Sequence, residues 1–173
     1  MKRILCILAT ALLFVEGFSQ TLSSFAAGKR LTMKYSVNYV SGKKSFSGSG
    51  TVVYQDGAYS LVSDVFRVYN DRNTLWTIDY GAKEALAEPG RDEDLLSHPE
   101  IVLSMFDMNM KGANASPLFQ EDGTPKGVNI TLKNGDVIAL RFDSVTLTPA
   151  GSLDDFSFDS STLDSSWIFT DMR

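Results

Sequence analysis

Few residues in this sequence can make or break bonds, and their spacing argues against catalysis. His98 is the sole histidine and Cys6 the sole cysteine. Cys6 sits in an apolar N-terminal run, so no Cys/His or His/His metal site can be completed around His98. A Ser/His/Asp triad would need His98 as its base, yet there is no Gly-x-Ser-x-Gly elbow and no strand-to-helix alternation to hold one. Asp154, Asp155, Asp159 and Asp164 cluster, but they lack calcium-loop spacing and are interrupted by Phe156 and Phe158, which reads as a solvated, turn-rich loop. Asn114-Ala115-Ser116 and Asn129-Ile130-Thr131 match the N-glycosylation acceptor, a pattern short enough to arise by chance. The expectation is no catalytic residue, no metal, no cofactor and no enzyme activity.

What stands out is apolar. The chain holds eleven Phe, six Tyr and two Trp, and Met105, Met108 and Met110 lie beside Phe106. Methionine and aromatic side chains adapt to varied apolar ligands, and they also build ordinary cores. Periodicity alone leaves both readings open.

The N-terminus reads as an export signal. Lys2 and Arg3 precede the apolar run Ile4 to Val15, which is too short to span a bilayer, and Gly17 and Ser19 supply a small-x-small cleavage site. Residues 1–19 are therefore expected to be removed, leaving one domain over 20–173. Cys6 lacks the context of a lipid-attachment cysteine, so no lipid anchor is expected. The formal charge of −5 becomes about −6 once Lys2, Arg3 and Glu16 are gone, which argues against nucleic acid or anionic membrane as partner. Without cysteines in the mature chain, stability must come from the core.

The elements that would position these residues are mostly strands. Leu31, Met33, Tyr35, Val37 and Tyr39 alternate with polar residues, as a half-buried strand requires. Phe46 to Tyr54 keeps the period of two, with Gly48 and Gly50 suggesting a bend, until Asp56-Gly57 offers a tight hairpin. Tyr59 to Ser63, Val65 to Tyr69 and Thr74 to Asp79 follow, joined by turns too short for parallel crossovers. After Pro89-Gly90, the segment Ser97-His98-Pro99-Glu100 predicts a helix start. Ile101, Val102, Met105 and Phe106 then fall on one face. Strand patterning resumes near Leu118, turns at Asp122-Gly123 and Asn134-Gly135, and runs to Leu147. Trp167 to Phe169 makes a last strand or edge segment. The fold expected is mainly β (α+β): a strongly curved antiparallel sheet or unclosed β-barrel with a short helical lid.

The order from Gly50 to Asp79 resembles a known family. Gly50-Thr51, the Asp56-Gly57 turn, Tyr59, the Asn70-Asp71-Arg72-Asn73 turn, and Leu75-Trp76 followed by Lys83 are similar to the periplasmic carriers of outer-membrane lipoproteins of the LolA type. Pro99 with Leu103, Phe156-Ser157-Phe158-Asp159 and Asp171-Met172-Arg173 extend the resemblance from about Leu31 to Arg173. It implies a periplasmic chaperone that shelters the acyl chains of lipoproteins in an apolar cavity between inner and outer membrane. The implied partners are acylated lipoproteins or lipid, an inner-membrane lipoprotein-releasing transporter and an outer-membrane acceptor, with the carrier a monomer. Met33, Tyr35, Val37, Tyr59, Leu61, Phe66 and Trp76 become candidates for the cavity, and Ile101, Val102, Met105 and Phe106 for its lid. The family's arginine after the aromatic matched by Tyr59 is replaced here by Ser60, so Arg67 or Arg141 would have to latch the lid. A lipid- or lipoprotein-sensing binding module of the cell envelope is the alternative on the same fold.

Overall fold

A computed structural model describes residues 24–41, 44–63, 66–90 and 114–173. Ten strands form one sheet among them: β1 (Lys29–Ser41), β2 (Lys44–Gln55), β3 (Ala58–Ser63), β4 (Phe66–Asn70), β5 (Thr74–Asp79), β6 (Glu84–Pro89), β7 (Asn114–Phe119), β8 (Pro125–Thr131), β9 (Val137–Pro149) and β10 (Ile168–Asp171). Their spatial order is β10-β6-β5-β4-β3-β2-β1-β9-β8-β7, and the two ends do not join, so the sheet is unclosed. The expected signal peptide (1–19) and the expected lid helix, with His98, Ile101, Val102, Met105 and Phe106, lie outside the described residues.

The first half is the predicted meander. The β2–β3 hairpin turns at Asp56-Gly57, both with positive φ (50° and 86°), the backbone that matches the twist of the flanking strands. Asp71 closes the β4–β5 turn, its Oδ1 accepting from the amides of Asn73 and Thr74 at 2.9 and 2.7 Å. The second half, β7–β8–β9, is also a meander, and its last strand docks on β1 with Leu31 opposite Leu147 and Val37 opposite Leu140. A register shift at Lys34/Tyr35 accommodates one extra residue in β9, as a bulge does.

Two features depart from the sequence reading. Glu84–Pro89 is a strand, paired antiparallel with β5. Its inward residues Ala85 and Ala87 are too small to leave a clear hydrophobic alternation. The sheet is also not purely antiparallel, because β10 pairs parallel with β6. β9 sits beside β1, so the chain must cross six strands to reach the far edge. At ~4.8 Å per strand this is roughly 34 Å, within reach of the connecting segment between β9 and β10. That segment crosses one face of the sheet and packs on part of it.

Candidate functional site

Strand alternation and cross-strand register assign each residue to one of two faces. The first face is built in rows. Tyr35, Gly50 and Ser63 form one row; Val145, Met33, Val52, Leu61, Val68 and Thr77 form the next; Leu147, Leu31, Tyr54, Tyr59, Asn70, Leu75 and Glu88 form a third. Ile130, Ile138, Leu140 and Val37 carry the face across β8, β9 and β1. Leu31, Met33, Tyr35, Val37, Tyr59, Leu61, Phe66, Ile138 and Leu140 are all at most 1 % exposed. A Cβ at Gly50 would meet Tyr35 Oη and the Val62 carbonyl oxygen at 2.5 Å. The tyrosine ring therefore lies across the glycine, filling the space that its missing side chain leaves.

Six of the seven strand candidates, Met33, Tyr35, Val37, Tyr59, Leu61 and Phe66, share this face. Trp76 does not. It opposes Tyr69 and Ala87 on the second face, where its ring stacks on Phe169 at 5.8 Å and meets Phe158 edge-on at 5.5 Å. Arg67 and Arg141, the expected latch substitutes, also belong to the second face. The Arg67 guanidinium lies 5.0 Å from the Tyr80 ring centroid, and Arg141 Nη1 donates to the Leu140 carbonyl at 2.9 Å. Both arginines thus lie on the face opposite the six candidates.

The second face belongs to the chain's own C-terminal segment, 150–173. Its anchor is Gln55, 3 % exposed. Gln55 Nε2 donates to the Gly151 carbonyl (2.9 Å), and Gln55 Oε1 accepts from the Gly151 amide (3.0 Å) and from Arg30 Nε (2.9 Å). Arg30 also donates to Asp155 Oδ2 (2.5 Å) and the Ser152 carbonyl (2.7 Å) and lies over the ring of Phe156. A single 3-10 turn, Leu153–Phe156, is capped by Ser152 and drives Phe156 into full burial. Beyond it, Phe158 stacks on Tyr69, Trp167 meets Tyr80 edge-on, and Phe169 covers Trp76. Arg173 places its guanidinium 5.1 Å from the Trp76 ring centroid. The Ile168 and Met172 amides donate to the Lys83 and Ala87 carbonyls at 2.9 and 2.8 Å.

The sequence reading anticipated the edge strand near Trp167 to Phe169, found as β10, but missed the packing of the segment on the sheet. Its signal was present in the alternation of Phe156 with Phe158 and of Trp167 with Phe169, masked by the surrounding Ser and Asp. A small cleft of about 170 Å³ lies where the strap passes the β4–β5 turn, lined by Asp71, Arg72, Asn73, Leu153, Asp154 and Ser157. Its polar walls and size do not suit an acyl chain. Among the described residues, no three Asp, Glu, His or Cys side chains are placed to hold a metal ion, and no helix is long and apolar enough to cross a membrane.

The first face is not wholly apolar. Its third row brings Tyr54, Tyr59 and Asn70 side by side, all buried. Burial holds the Tyr59 phenol far above its ordinary pKa, and the facing Asn70 side chain offsets this only in part. Tyr59 Oη nevertheless makes no hydrogen bond of ordinary geometry.

No protein-family model and no curated protein matches this chain. Among solved structures it is similar to an uncharacterized conserved protein from Thermus thermophilus. The two share 7% identity and a TM-score of 0.56, over 90% of this chain and 99% of the other. A likeness at that identity shows a common fold.

Proposed function

We propose that this chain is a non-enzymatic carrier that holds the acyl chains of a lipoprotein, or of a lipid, against the first face of the sheet. The reading rests on the division between the faces. The second is occupied by the protein's own strap, whereas the first gathers aliphatic, aromatic and methionine side chains into continuous rows over β9 and β1–β4. These rows are the apolar surface an acyl ligand would address, and reaching them requires the buried face to open. The LolA-type order of motifs and the export signature support a periplasmic, diffusible carrier, with Ile101, Val102, Met105 and Phe106 as its lid, a releasing transporter in the inner membrane and an acceptor at the outer one.

The energetics suit such a task. At about 0.8 kcal/mol per methylene, a long acyl chain in water carries a penalty on the order of 10 kcal/mol that a carrier has to shield. Release requires the fit to fall short of a permanent complex, and a lining of Met33, Tyr35 and Phe66 shields chains without strict complementarity.

Purification without detergent, followed by native mass spectrometry and organic extraction, tests the proposal. Co-purifying acylated species, or uptake of a lipoprotein released from inner-membrane vesicles, is the expected result. A protein that neither retains nor takes up acylated ligand sinks it. Stable capture of a protein partner without lipid would favour the sensing module instead.

A further inference from the structure

We infer that the outer edge of β10 pairs with a second copy of this chain, the two strands running antiparallel about a two-fold axis at Thr170 to make one continuous sheet. The inference does not rest on the carrier reading, and it departs from the monomer that the family resemblance implies.

Exposed apolar side chains gather at this edge. Five large hydrophobic residues stand exposed among the described residues, and four of them, Tyr80, Ile168, Phe169 and Met172, lie on or beside β10, with Ile168 at 62 % and Met172 at 52 %. Clustering of this kind marks an interaction surface, whereas scattered exposure does not. Among the described residues, β10 ends the sheet and pairs on one side only, with β6. Natural sheets guard such an edge with lysine, proline, a bulge or a free charge. Ile168–Asp171 carries no lysine or proline and keeps an unbroken register with β6. Its one charge, Asp171, is neutralised by Arg173, whose Nε and Nη2 donate to the two carboxylate oxygens at 2.9 and 2.6 Å.

The backbone decides the register. Ile168 and Met172 turn their amides inward, to the Lys83 and Ala87 carbonyls at 2.9 and 2.8 Å. By the period of two, Phe169 and Asp171 present their N–H and C=O groups outward. A two-fold axis between residues would oppose outward groups to inward ones, so the axis passes through a residue. An axis at Asp171 sets two carboxylates opposite each other, a destabilising like-charge pair, and needs the Arg173 amide, which already donates to Asp171 Oδ1 at 3.1 Å. An axis at Phe169 needs the Trp167 amide, which already donates to the Asp164 carbonyl at 3.1 Å. An axis at Thr170 has neither fault. Phe169 then exchanges both hydrogen bonds with the partner's Asp171, and the reverse pair does the same. Ile168 faces the partner's Met172, Thr170 faces the partner's Thr170, and Arg173 faces the partner's Trp167. Apolar, threonine and cation–aromatic pairs are all favourable across strands. The edge is short, so the association is weak and depends on concentration.

Sedimentation velocity of the full chain, from micromolar concentrations to about 1 mM, tests the pairing. Wild type is expected to shift from monomer to dimer across that range. Thr170→Lys sets two lysines against each other at the axis and should weaken the dimer about tenfold. Its melting temperature should be unchanged, because the Thr170 side chain is exposed. Thr170→Cys checks the register in a second way, with Cys6→Ser removing the only other thiol. The two Cα atoms at the axis would stand about 4.5 Å apart as a non-hydrogen-bonded pair, within reach of a disulfide. Mild oxidation should therefore cross-link Thr170→Cys and spare Ile168→Cys and Met172→Cys, each of which faces a different residue. A chain that stays monomeric throughout overturns the inference, whatever other strand binds that edge. So does a dimer that Thr170→Lys leaves intact, or cross-linking at 168 or 172 as efficient as at 170.

Discussion

Replacing Phe156 by alanine should unfasten the strap from the second face of the sheet. Phe156 is fully buried, at the end of the 3-10 turn and beneath the Arg30 guanidinium, 5.2 Å from its ring centroid. Truncating a buried phenylalanine costs about 3–5 kcal/mol, through lost transfer free energy and the cavity left behind. The lost cation–π contact is worth about 0.5–1 kcal/mol and is part of that total. Arg30 keeps its bonds to Gln55, Asp155 and Ser152, and these moderate the effect, so we expect roughly 3 kcal/mol. For a domain of this size, that lowers the melting temperature by about 6–12 °C. Urea unfolding should give the same difference at unchanged m-value. The chain has two tryptophans, and both lie at the interface of strap and sheet, Trp76 against Phe158 and Phe169 and Trp167 against Tyr80. Fluorescence therefore reports docking directly. A red shift that precedes loss of the far-ultraviolet signal is expected in Phe156→Ala, as the strap leaves before the sheet melts. Destabilisation below about 1 kcal/mol, with tryptophan emission unchanged, would show that the strap is no part of the core.

Gly50→Ala should be among the most damaging small substitutions. Its Cβ would sit 2.5 Å from both Tyr35 Oη and the Val62 carbonyl oxygen, and overpacking of this kind costs about 1–3 kcal/mol, readable as a lower urea midpoint. Asp171 receives hydrogen bonds from the Arg173 side chain and backbone amide, and its pKa falls to about 2. Because the folded value lies below the unfolded one, its contribution is present above about pH 4 and lost as pH falls toward 2. Carboxyl-carbon NMR should show that low midpoint, and Arg173→Ala should move it back toward an ordinary aspartate. Tyr59 runs the opposite way. Its phenol is raised by burial, so its contribution is intact below about pH 10 and lost above it. Tyr59→Phe should therefore shift the alkaline unfolding midpoint upward, as followed by circular dichroism.

Much of the fold was legible because a strand buried on one side writes a period of two into its residues. Leu31 to Val37, Val52 to Tyr54 and Ile138 to Leu140 carry that period, and Asp56-Gly57 and Asn134-Gly135 mark their turns by residues that tolerate a turn's backbone. Six cavity candidates could be placed on a common face once register was known, since alternation within a strand is local. Whether two strands' apolar sets point the same way depends on pairing, and pairing is not local. Trp76 shows the difference: its type and spacing matched its neighbours on paper, but the β4–β5 register turns it to the opposite face. β6 was hidden because alanines at 85 and 87 are enough to pack beneath an aromatic strap yet too small to signal burial. The strap's last strand was expected from Trp167 to Phe169 and is found as β10, but the docking of the strap was hidden for a related reason. Phe156, Phe158, Trp167 and Phe169 sit among serines and aspartates that satisfy turns and solvent, so composition reads as a loop. Their partners Arg30, Tyr69, Trp76 and Tyr80 are remote in sequence. Strands and turns are properties of neighbouring residues, and the amino-acid order was enough to specify them. Which face the strap would pack on was settled by long-range pairing, because β9 docks beside β1 and obliges the chain to cross the sheet to its far edge.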